Sequence, residues 1–131
     1  MIKVKNIGDL VFATSQIGNV TVAAKEQLRA PFNGVVLHNA MRVRTAGTTG
    51  SQVADFKINN TSIYATAGNR PTLTTGTDVT VSGSTIDGTK TFAVGDLLEW
   101  SIATAHTTPA VDVSLVAVLR QQPSRGTVSY E

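Results

Sequence analysis

The sequence predicts a single all-β domain, an antiparallel β-sandwich of jelly-roll type with about eight strands, and three observations carry that reading. Apolar residues recur with period two, and helical periodicity is hard to find anywhere along the chain. Turn signals separate the alternating runs, roughly every 8 to 12 residues. Only 15% of the 131 residues are charged while 41% are hydrophobic. Much of the polar surface is therefore threonine, whose β-branch suits a pleated, half-buried strand.

The elements follow in order. Residues 10–14 and 19–22 read as short strands, and residues 23–30 as one helical turn or a strand ending at Pro31. Residues 1–30 thus form either an arm that docks on a partner or a set of short strands. From residue 35 to 44, Val35, Leu37, Met41 and Val43 alternate with polar positions that include His38, Arg42 and Arg44, the pattern of a strand with one buried face. Residues 45–51 form a flexible turn. In residues 52–58, Ala54, Phe56 and Ile58 face inward, while Asp55 and Lys57 face solvent. Asn59 and Asn60 tolerate the left-handed backbone region and predict a tight turn into Ile63 and Tyr64.

Residues 65–76, with Gly68, Pro71 and Gly76, form the longest loop. Asp87-Gly88, between residues 78–82 and 89–94, predicts a second hairpin. Gly95-Asp96 opens a strand over residues 97–104 in which Leu98, Trp100 and Ile102 face the core and Glu99 and Ser101 face out. The last strand, residues 111–119, carries Val111, Val113, Leu115, Ala117 and Leu119 on one face. Val116 and Val118 make its other face apolar as well, which places it at the centre of a sheet or against another subunit. Residues 31–120 make up the sandwich, and residues 121–131, with Pro123 and Gly126, an exposed tail. Neither a linker nor an internal repeat divides the chain.

The same residues argue against catalysis. With no cysteine, disulfides, thiolate nucleophiles and thiolate metal sites are excluded. His38 and His106 have no metal-ligand spacing, so neither a metal nor another cofactor is expected. Asp87 and Asp96 adjoin glycines and are explained by turn chemistry; no carboxylate pair stands out. Residues 47–50 have the glycines of a phosphate loop but neither its lysine nor its helix. The net charge of +2 is spread along the chain, against nucleic-acid binding. No run approaches the roughly 20 apolar residues of a membrane span, and the first residues lack the apolar core of a signal peptide. The expected product is made in the cytoplasm and binds rather than catalyses. The residues placed at a subunit contact are Val116, Val118, Arg42, Arg44 and His38. An alternative binding surface is the long loop with Tyr64, Asn69 and Arg70. Aromatics are only 5% and most alternate inward, leaving Tyr64 and Tyr130 as exposed candidates for a sugar platform.

Between Pro31 and Arg120 a series of turns and strand faces forms a pattern. It comprises Thr45-Ala46-Gly47, the segment from Val53 through Asp55 and Asn59 to Ile63, Arg70-Pro71-Thr72, Phe92-Ala93-Val94-Gly95-Asp96 and Asp112-Val113-Ser114-Leu115. This pattern resembles that of small phage virion proteins of jelly-roll type: capsid decoration proteins, head fibres and tail-tip modules. The resemblance covers about two thirds of the chain and carries no catalytic residue. It implies a structural protein of a bacteriophage virion, a homo-oligomer and in particular a homotrimer. Its partner would be the major capsid protein or another virion protein. Of the roles it implies, capsid decoration fits a chain without fibre repeats, and a receptor-binding tip that recognises a host glycan or protein is the alternative.

Overall fold

The computed structural model describes residues 9–80 and 85–122. Its strands are β1 (Asp9–Asn19), β2 (Ala23–Arg29), β3 (Gly34–Thr45), β4 (Gln52–Ile58), β5 (Thr61–Ser62), β6 (Thr72–Leu73), β7 (Thr91–Phe92), β8 (Leu97–Thr104) and β9 (Val111–Gln121). They form two antiparallel sheets. One has four strands in the order β1-β9-β3-β7; the other has five, in the order β2-β8-β4-β5 with β6 also on β4. The first three positions of the first order are matched in the second by chain neighbours, β1 by β2, β9 by β8 and β3 by β4. The chain thus crosses from sheet to sheet at the ends of the sandwich, the winding of a jelly roll.

The period-two pattern explains the core. Met41 and Val43 from β3, and Val113, Leu115, Ala117 and Leu119 from β9, face Ala54, Phe56, Leu98, Trp100 and Ile102 of the other sheet, and all are buried. Trp100 packs edge-on to Phe56 with ring centroids 5.2 Å apart, and Phe56 meets Phe12 at 5.9 Å. Each such contact adds about 1 kcal/mol beyond the area it buries. The indole N–H of Trp100 donates to the Phe12 carbonyl at 3.3 Å, so the one buried donor of the ring is satisfied.

Several expectations change at this level. Residues 9–19 and 23–29 are strands at the edges of the two sheets, with β2 a strand throughout; residues 1–8 and 123–131 lie outside the described residues. A bulge between Val36 and His38 moves Leu37 out of the inward set and puts Asn39 there instead. Asn59 and Asn60 both have positive φ, 50° and 68°, and join β4 to β5 as a two-residue hairpin. The long loop contains a 3-10 turn at Ala67–Asn69 and then β6, which bonds back to β4.

Residues 81–84 lie outside the described residues, and the described parts of 78–94 do not pair with each other as the expected hairpin would. Val79 bridges Arg42, and β7 pairs with Gly34 and Val35, so both segments lie end to end along the same edge of β3. Gly88 instead approaches the Ile63 backbone so closely that a Cβ would come within 2.7 Å of the carbonyl oxygen. The glycine serves packing rather than a hairpin turn.

Candidate functional site

The outer face of the four-stranded sheet is built from the alternate positions that the core does not use. On β9 these are Asp112, Ser114, Val116, Val118 and Arg120. In the register, Val118 lies between Val11 of β1 and His38 of β3, and Val116 between Ala13 and Ala40. The next row holds Ser15, Ser114 and Arg42, and the row beyond Val118 holds Asp9 and Arg120. The central position of β9 accounts for its two-sided apolar character. Val116 and Val118 are nevertheless only half-buried, and Val11 keeps 57% of its surface exposed.

This face brings His38, Arg42, Arg44, Val116 and Val118 together, although they come from two strands distant in sequence. Val11, Ala13 and Ala40 complete the apolar stripe, and sequence reasoning missed them because their neighbours across the sheet could not be read locally. Two ion pairs mark the ends of the stripe. Arg120 clamps Asp9 through Nε at 2.9 Å and Nη2 at 3.2 Å, and Arg44 lies 3.7 Å from Asp112. The Arg120 guanidinium holds the Asp9 carboxyl below its ordinary range. Beside Arg42 and Arg44 lies an open depression of about 460 Å³, floored by Ser15, Ser114 and Asp112. Asp112 takes a left-handed backbone, φ 59°, and its Oδ1 accepts the Gly18 N–H at 2.7 Å across the bulge in β1.

The outer face of the five-stranded sheet is polar, and its groups are bonded to one another. Asp55, Glu99 and Ser101 were expected in solvent, and all three are buried. They do face outward, but the flanking strands and the loop before β6 cover them. Asp55 accepts a hydrogen bond from Ser62 Oγ at 2.6 Å and faces Arg70 Nη2 at 3.6 Å. Glu99 accepts from Gln27 Nε2 at 2.7 Å. An open depression of about 500 Å³ lies over these groups, reached by Lys57, Ala23 and Ala24.

Of the loop set, Tyr64 is turned inward, while Asn69 and Arg70 are half-buried. Tyr64 is 3% exposed, and its hydroxyl accepts from Asn39 Nδ2 at 2.8 Å, which corrects its reading as an exposed aromatic. Asn69 closes the 3-10 turn, its N–H donating to the Thr66 carbonyl, and Arg70 turns in toward Asp55. Burial raises the Tyr64 phenol above its ordinary range. His106 is buried under Gly47, its Nδ1 3.0 Å from the Gly50 carbonyl. Among the described residues, no three His, Asp or Glu side chains gather as metal ligands would. Comparison with protein families, with curated proteins and with solved structures returned no match.

Proposed function

We propose that this chain is a structural subunit of a bacteriophage particle, a decoration protein that binds the shell through the outer face of the β1-β9-β3-β7 sheet and stabilises it. The observation that carries the reading is the stripe of Val11, Ala13, Ala40, Val116 and Val118, apolar at its centre and bounded by His38, Arg42 and two ion pairs. An apolar centre with a polar rim suits contact with another protein better than contact with a small molecule or a nucleic acid. The likeness of the turn and strand motifs to small virion proteins supports the setting, with the major capsid protein as the partner and a homo-oligomer as the unit that binds. The reading requires neither a cofactor nor a reaction. The loop around Arg70 is the weaker candidate for recognising a host surface, because its aromatic residue is turned into the core.

Quantitative mass spectrometry of purified particles tests the proposal. The expected copy number is comparable to that of the shell protein. A few copies per particle would overturn decoration in favour of a tail or fibre tip.

A further inference from the structure

We propose that β1 is an open pairing edge, through which a second copy of this chain adds antiparallel to continue the four-stranded sheet. The inference goes beyond the virion reading and does not depend on it, since it rests on the edge alone.

The ladder shows which groups are open. On β3, the Val43 N–H donates to the Asp78 carbonyl, and the Met41 carbonyl accepts from the Thr80 N–H, so these residues bond away from β9. In an antiparallel strand, alternate residues direct both backbone groups to the same side. His38, Ala40 and Arg42 therefore bond toward β9 and occupy its Val118, Val116 and Ser114. Leu119, Ala117, Leu115 and Val113 are left for β1, opposite Leu10, Phe12, Thr14 and Gln16. By the same alternation, Val11, Ala13 and Ser15 direct their N–H and C=O groups away from the sheet. β1 ends the sheet order, and among the described residues no hydrogen bond engages those groups.

Edges left open in monomers are usually short, bulged, or guarded by lysine or proline. The other edges here fit that rule. β5, β6 and β7 have two residues each, and β2 has a bulge and carries Lys25, Glu26 and Arg29. β1 differs: it runs for 11 residues, DLVFATSQIGN, with neither proline nor a basic residue. Its one charge, Asp9, is held by Arg120, and its one bulge lies beyond Gln16. Leu10, Val11 and Ile17 are 39%, 57% and 88% exposed.

The occupant that fits is the same strand of another copy. A two-fold axis at Ala13 sets Ala13 against its own mate and Val11 against Ser15, all of them open positions, with small side chains at the axis and no like charges facing each other. The apolar stripe of Val11, Ala13 and Val118 then runs unbroken into that of the partner.

The test is light scattering on the full chain after size exclusion, from low concentration up to about 100 µM. The expected mass is twice the 13.8 kDa of one chain. Ala13→Pro removes an N–H that β9 does not use, and Ala13→Lys sets two charges on the axis. Both are expected to give single chains with unchanged far-UV circular dichroism, whereas Val79→Lys on the opposite edge remains paired. If the proline variant does not fold, the lysine variant decides. A single-chain mass for the parent protein, a three-chain mass, or pairing that survives Ala13→Lys overturns the proposal, because edge pairing about a two-fold closes at two. Particle copy number is a separate measurement, so decoration can stand where edge pairing fails, although a single-chain mass would also remove the homo-oligomer from that reading.

Discussion

The two outer faces of the sandwich come from the same period-two rule and end in opposite conditions. On the five-stranded sheet the outward side chains are Asp55, Glu99 and Ser101, and the protein covers them itself, with Ser62 and Arg70 on one carboxylate and Gln27 on the other. On the four-stranded sheet the outward side chains are Val11, Val116 and Val118, and no described part of the chain covers them. A buried carboxylate that is already bonded gains little from a ligand, whereas half-exposed valines gain from any apolar surface that displaces water. Among the described residues, the four-stranded face is the one whose apolar side chains are left uncovered.

Substitutions on the two faces should therefore separate stability from association. The largest effect on stability is expected from Asp55→Ala, which leaves Arg70 and Ser62 without their shared acceptor. We expect a loss of about 2 kcal/mol in urea unfolding, below the full value for a buried pair because the Arg70 side chain keeps 28% of its exposure. If stability were unchanged, the polar face would not be as self-sufficient as its bonds suggest.

Tyr64→Phe comes next, with an expected cost of about 1 kcal/mol from the Asn39 amide left without its acceptor. It also carries a pH signature. The folded phenol titrates above its ordinary value near 10.0, so above that pH the unfolded state releases a proton that the folded state keeps. The stabilising contribution is complete below about pH 10 and is lost as pH rises, by up to about 1.4 kcal/mol per unit. Unfolding of the parent and the phenylalanine variant at pH 9 and pH 11 checks this; equal slopes would contradict it.

The smallest change in stability is expected on the four-stranded face. Val116→Thr with Val118→Thr keeps the β-branched shape at two half-exposed sites, so unfolding should shift by less than about 1 kcal/mol. A larger loss would mean that these valines serve the fold rather than a partner.

How much of this was legible in the sequence follows from the range of each interaction. Residues 52–58 and 97–104 could be read as strands, and Asn59-Asn60 as a turn, because alternation and turn chemistry are local. The set His38, Arg42, Arg44, Val116 and Val118 was legible as side chains opposite a buried face, and the register then placed it on one surface. The depth of Asp55 was not legible, since the loop that covers it is fixed by β6 pairing with β4. Nor was the role of Asp87-Gly88. Asp87 accepts from the Thr66 N–H and Gly88 packs on Ile63, partners more than 20 residues away that no turn rule contains.

The most direct test of the central claim is co-sedimentation of the purified chain with particles that lack it, comparing one substitution on each face. Val118→Asp puts a charge in the apolar stripe, and Lys57→Glu reverses one on the polar face. Val118→Asp is expected to abolish binding, while Lys57→Glu is expected to bind like the parent. Binding that survives Val118→Asp and is lost with Lys57→Glu would contradict the claim.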